Sequence, residues 1–159
     1  MESSSLLNNV LQTYSHRPSA QTVAIGIGIA LARIGAAQLC TRYIPMIKAS
    51  QGSLKLDLAG ALTVTSGLAA PFLEEHLFRK NINKDTPIPH ILLNAIVFGA
   101  VHGLIPGSSQ RRISRVFMST IGGVFYGSAQ KLTGDIWAPL IAHLMYNSFQ
   151  LRAALLLAS

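Results

Sequence analysis

The chain has 159 residues, a length suited to one domain with a core of its own. Residues of the AVILMFWYC set make up 50% and charged residues only 12%, about half the roughly 25% charge of ordinary soluble domains, which favours lipid contact over a fully wetted surface. The formal charge is +7, yet the basic residues stand where apolar segments stop rather than on one polar stripe. That placement argues against a nucleic-acid surface and matches what membrane topology selects.

Residues 1–18 read as a polar N-terminal tail. Its start, Met1-Glu2-Ser3-Ser4-Ser5, lacks the basic region and compact apolar run of a signal peptide, so the chain's own helices are expected to direct membrane insertion. Residues 19–159 are expected to form a single membrane-embedded helical domain, with a motif-bearing core at about 58–150. Five apolar segments follow one another there. The first runs from Thr22 to Ile47 and is interrupted by Arg33 and Arg42. The second, Leu56 to Arg79, has Asp57 at its start and two carboxylates at its end. The third, Ile88 to Ile105, is the cleanest, with no Lys, Arg, Asp or Glu from Thr86 through Gln110. The fourth spans Ile113 to Leu132 and the fifth Ile136 to Leu157.

Each segment is near the ~20 residues of a membrane span. Strand alternation is weak, and backbone groups in lipid must be satisfied internally. The predicted fold is all-α: a polytopic membrane helical bundle of about five helices, with a site buried between them. Arg33, Arg115 and Arg152 interrupt the apolar runs, so a soluble all-α bundle is the alternative. For Arg33 three readings stand side by side: snorkelling, pairing with Asp57, or lining a cavity. Gly26, Gly28, Gly35 and the pair Gly123-x-x-x-Gly127 are expected to serve helix packing. Cys40 is the only cysteine, which excludes an intramolecular disulfide and a multi-Cys metal site.

Three polar fragments interrupt the apolar background: Glu74-Glu75-x-x-x-Arg79, Phe98-x-x-x-His102 and His143-x-x-x-Asn147. Residues four apart share a helical face, so Glu75 can pair with Arg79. Glu74 then lies about 100° around the helix, free to serve as a general base inside the bundle. Taken singly, the fragments read as a solvated ion pair, a satisfied core histidine and an interhelical hydrogen bond. Together, on three segments, they supply a base, a water orienter and oxyanion donors. His76 and His90 fall outside this set and read as a helix-end residue and an interfacial residue.

In this order the three fragments resemble the CPBP intramembrane protease family, which includes CAAX-processing endopeptidases and relatives named for abortive infection or bacteriocin immunity. The run Thr133-Gly134-Asp135-Ile136-Trp137-Ala138-Pro139-Leu140 leading into His143 is similar to the family's approach to its last motif. The resemblance implies that Glu74 activates water, that His102 helps to hold it, and that His143 and Asn147 stabilise the oxyanion. Glu75 and Arg79 would support them, with Phe98 packing. It implies an intramembrane endopeptidase, of CAAX type or processing leader peptides, acting on a peptide or membrane-protein substrate within the lipid bilayer and not on nucleic acid. The alternative is a non-catalytic immunity or peptide-binding membrane protein of the same fold. A zinc ion on Glu74, His102 and His143 and a metal-free glutamate mechanism are both open. Family members are often longer, with further helices before the first motif; a partner subunit, of unknown identity, is one source of what this chain lacks. The expected location is multi-pass in a bacterial cytoplasmic membrane.

If all five segments span, the positive-inside bias sets the orientation. Arg42, Lys48, Lys55, Arg111, Arg112, Arg115 and Arg152 fall on one side, against Arg17, Lys80, Lys84 and Lys131 on the other. The first group is expected in the cytoplasm. With Cys40 replaced, Ser53→Cys and Ser109→Cys should resist an impermeant thiol reagent added outside intact cells; labelling at both would reverse the orientation.

Overall fold

The computed structural model describes residues 3–45, 47 and 58–158, and every regular element among them is a helix. There are six: α1 (Ser3–Thr13), α2 (Ala20–Tyr43), α3 (Leu58–Arg79), α4 (Ile88–His102), α5 (Ser109–Thr133) and α6 (Trp137–Ala158). Five correspond to the five apolar segments. The sixth, α1, lies in the stretch read as a polar tail. Its apolar residues, Leu6, Leu7, Val10 and Leu11, recur at helical spacing over too short a run to resemble a span. Val10 is buried, Thr13 Oγ1 lies 2.9 Å from His76 Nδ1, and the Tyr14 hydroxyl donates to the Phe72 carbonyl at 2.9 Å. These contacts dock α1 onto α3, so among the described residues both α1 and α2 precede the first motif. Lys48, Ser53, Lys55 and Asp57 lie outside the described residues.

Local chemistry sets most helix ends. Ser19 caps α2 by accepting from the Thr22 amide at 3.0 Å, and Ser108 caps α5 by accepting from the Arg111 amide at 3.4 Å. That cap starts α5 a turn before its apolar stretch. Ile44 leaves the helical region before Pro45, as a residue preceding proline tends to. Gly134 closes α5 at φ 69°, a left-handed conformation natural to glycine.

The helices meet where side chains are small. Helix α2 runs alongside α6, and a Cβ at Gly26 would stand 2.9 Å from the Ala138 carbonyl oxygen. Ala30, Ala142 and Tyr126 form a buried cluster where α2, α6 and α5 meet. Helices α4 and α5 pack antiparallel, with Gly123 against Ala95 and Gly127 against Ile91. Gly28 and Gly35, by contrast, have nothing within 4 Å of a Cβ position among the described residues. A one-sided stripe is all that a helix touching neighbours on one face requires.

One end of the bundle is tied by polar contacts. Lys131 Nζ donates to the Thr86 carbonyl at 2.7 Å, and Gln130 donates to the Ile82 carbonyl at 3.1 Å. Asp135 accepts from Thr22 at 3.0 Å and meets His16 at 3.0 Å. Burial pushes its carboxyl up, but the Trp137 amide, His16 and Thr22 outweigh that and hold it below its ordinary value. At the opposite end Arg112 donates to the Gly103 carbonyl at 2.9 Å, while Arg115 reaches the Ile105 and Pro106 carbonyls after α4.

Among the described residues only α2 is both long and apolar enough to cross a membrane by composition; α4 is apolar but shorter. Helices α3, α5 and α6 have the length of a span and carry polar groups along it.

The glycine contacts predict opposite signs for one chemical change. Gly123→Ala would place its Cβ 2.8 Å from Ala95 Cα and should destabilise by about 1–3 kcal/mol. Gly28→Ala meets nothing and should stabilise by about 0.5–1 kcal/mol through helix propensity. Thermal midpoints of the two purified variants in detergent check this pair.

Candidate active site

Helix α3 carries Glu74, Glu75 and Arg79, α4 carries Phe98 and His102, and α6 carries His143 and Asn147. Because α3 and α6 run antiparallel, Glu75 comes level with His143 while Gly67 comes level with Asn147. The Glu75 carboxylate is fully buried and has two partners. Its Oε1 accepts from His143 Nδ1 at 2.7 Å, and its Oε2 faces Arg79 Nε at 3.4 Å.

Both imidazoles are anchored through Nδ1. His102 Nδ1 lies 2.8 Å from the Phe98 carbonyl oxygen, and His143 Nδ1 meets Glu75. Carbonyl and carboxylate oxygens only accept, so in each neutral ring Nδ1 carries the proton and Nε2 presents a lone pair. Both Nε2 atoms turn towards Glu74: His102 Nε2 is 3.9 Å from Oε1, and His143 Nε2 is 3.7 Å from Oε2. These separations exceed a direct hydrogen bond and suit a single bridging water. Glu74 and His102 keep side-chain exposures of 25% and 21%, whereas His143 has 6%, so the opening lies on the Glu74–His102 side.

Arg79 lies in the interior and not at the mouth of the site. It is fully buried, with its guanidinium carbon 4.2 Å from the Phe98 ring centroid, and Phe78 and Tyr126 farther off. The Glu75 charge and three aromatic faces make a site that a delocalised, weakly hydrated guanidinium tolerates. Phe98 touches Arg79, His102 and Phe78, and so sets the wall between α3 and α4. Asn147 sits one turn beyond His143, and its Nδ2 donates to the Gly67 carbonyl at 2.8 Å.

Three residues that the motifs omit complete the surroundings. The Tyr126 ring stacks on His143 with centroids 4.4 Å apart, and its hydroxyl is buried without a partner among the described residues. Arg33 is 6% exposed, which rules out snorkelling. Its guanidinium carbon lies 3.4 Å from the Tyr146 centroid and 4.5 Å from that of Tyr126, within electrostatic reach of Glu75 and Glu74. The wall of the site thus sets two guanidinium groups against two carboxylates. The sequence signals for these residues were an arginine inside an apolar span and tyrosines beside Gly127 and Asn147. His76 is buried and holds α1 rather than joining the site, while His90 is exposed.

Glu74, His102 and His143 offer the ligand types of zinc, and each ring has its far nitrogen anchored as a metal ligand's would be. Among the described residues, however, no three His, Cys, Asp or Glu side chains are gathered tightly enough to hold an ion.

Residues 57–149, more than half of the chain, match the family described as type II CAAX prenyl endopeptidase Rce1-like, and the chain belongs to that family. Among curated proteins it is similar to one named "Putative membrane peptidase YdiL" from Bacillus subtilis (strain 168), with 29% identity over 93 residues, covering 55% of this chain and 35% of that protein. The chain therefore spans about a third of the length of the curated relative it matches. No solved structure matches it.

Glu75→Gln removes the charge between Arg79 and His143 while keeping the side chain's size. Breaking a buried ion pair by removing one partner costs about 3–5 kcal/mol, so this variant should show a clearly lower thermal midpoint and a reduced folded yield. A midpoint equal to that of the parent protein would mean that the buried pair is energetically idle.

Proposed function

We propose that the chain is an intramembrane endopeptidase in which Glu74 activates a water molecule held between His102 and His143. The observation that carries this reading is the pair of Nδ1-anchored imidazoles whose Nε2 atoms stand 3.9 and 3.7 Å from the two oxygens of one carboxylate. The water donates one hydrogen towards an Nε2 and the other to Glu74, which leaves an oxygen lone pair for attack. As the water oxygen bonds to the scissile carbonyl carbon, Glu74 takes its proton and the carbonyl π electrons move to oxygen. Asn147 stabilises that oxyanion with the amide hydrogen not committed to Gly67. Collapse of the intermediate breaks the C–N bond, and Glu74 returns its proton to the leaving amine. Neutral His143, with its only proton on Nδ1, acts in this scheme as a water orienter alongside His102, and the oxyanion falls to Asn147.

Family membership and the name of the Bacillus relative favour peptide-bond hydrolysis over the non-catalytic alternative. The substrate class that follows is a peptide presented at the bilayer, of CAAX type or a leader peptide. Helices α2, α3, α5 and α6 have 24, 22, 25 and 22 residues, and at ~1.5 Å per residue each exceeds the ~30 Å of a hydrocarbon core. Large apolar side chains such as Leu31, Leu39, Leu93 and Leu104 are exposed on the outer surface. Both features support a multi-pass protein, with a bacterial cytoplasmic membrane as its place.

Glu74→Gln keeps the size of the base and removes its proton affinity. Turnover of a lipid-reconstituted peptide substrate should fall by about 10²–10⁴-fold with folded yield retained, and Asn147→Ala should lower turnover by roughly 10²–10³-fold per folded molecule. Full turnover in a well-folded Glu74→Gln protein would refute the mechanism, and activity lost to a chelator and restored by zinc would move Glu74, His102 and His143 to a metal.

A further inference from the structure

Pro71 lies inside α3, fully buried, three residues before Glu74. A proline within a helix has no N–H to give to the carbonyl four residues earlier, and its ring crowds that carbonyl. The carbonyl in question is that of Gly67. It is also the one that accepts Asn147 Nδ2, at 2.8 Å. The backbone acceptor that Pro71 takes out of the α3 ladder is thus satisfied by a side chain from α6, as freed carbonyls in apolar surroundings need to be.

We infer that Pro71 is a positioning residue for Asn147. A carboxamide has a donating and an accepting end and can turn either one forward. The Gly67 carbonyl only accepts, so it selects the NH₂ end, holds one of its hydrogens and leaves the second for an oxyanion. A turned amide would present oxygen to the developing negative charge and repel it. Without Pro71 the residue-71 amide would reclaim the Gly67 carbonyl, and Asn147 would lose the contact that orients it. The kinetic part of this inference rests on the hydrolytic reading above; the hydrogen-bond part does not.

The test uses the full chain carrying Pro71→Ala, with Pro71→Ser as a second variant that also restores the N–H. Two readouts are compared. In the first, hydrogen exchange and ¹⁵N NMR of the reconstituted protein should show a protected amide at residue 71 and a shifted, less protected Asn147 side-chain NH₂. The thermal midpoint should be equal or higher, because a helical hydrogen bond is regained. In the second, kcat should fall by about 10²–10³-fold, as for loss of an oxyanion donor, with KM within about threefold. The double variant Pro71→Ala/Asn147→Ala should be no slower than Asn147→Ala, since linked residues are not additive. A merely structural proline would lower the midpoint and leave kcat alone, which overturns the inference. Unchanged Asn147 NH₂ signals in Pro71→Ala, or effects that multiply in the double variant, overturn it as well. Full turnover in Asn147→Ala refutes the oxyanion assignment and with it the kinetic half of the inference, whereas unchanged Asn147 signals refute the inference alone.

Discussion

The site depends on one carboxylate that the proposed chemistry does not consume. Glu75 is buried completely and has Arg79 on one oxygen and His143 on the other. A lone carboxylate there would be prohibitive to bury. With a guanidinium and an imidazole N–H beside it, it becomes a junction that joins two turns of α3 to α6. Because it can only accept from His143, it dictates the tautomer of that ring and turns Nε2 towards Glu74. One interaction therefore settles helix packing, charge compensation and the protonation pattern of the site.

The same economy shows in the aromatic residues. Phe98 covers Arg79 on one side and touches His102 on the other, while Tyr126 stacks on His143 and lies beneath Arg33. Flat rings are well suited to this place. They exclude water from the ion pair, offer a negative face to each guanidinium, and add no charge of their own. Two carboxylates and two arginines can then share a small volume without net charge. Gly122 takes part by omission, since a Cβ there would come within 2.5 Å of the Arg33 guanidinium.

Much of this was readable from the chain, for identifiable reasons. The i, i+4 spacing of Glu75 with Arg79 is a local relation that helical geometry alone converts into a contact. Helix positions followed from the apolar runs and the breaks between them, while the serine caps at Ser19 and Ser108 set the ends more closely than those runs did. What could not be read depends on distant partners. The spacing of Glu75 gives no hint that its second oxygen belongs to His143, 68 positions away. Arg33 had three plausible fates, and only the approach of α5 and α6, with their tyrosines, selects the interior. The burial of Arg79 was not legible because Phe98 and Tyr126, which close its surroundings, come from α4 and α5. Helix α1 was missed for the converse reason: its short apolar stripe acquires meaning only against the Phe72–His76 surface of α3.

Mean hydropathy does not locate the site. Helix α4 carries Phe98 and His102 and is the most apolar of the described helices, while α5, which carries none of the motif residues, is the least. Helices α3 and α6, which carry the other two motifs, fall between them. In a small bundle whose helices hold ionisable groups between them, the better test is two-sided. Exposed leucines on one face and partnered ionisable groups on the other, as in α3 with Leu73 and Leu77 opposite Glu75 and Arg79, mark such a helix more reliably than its mean.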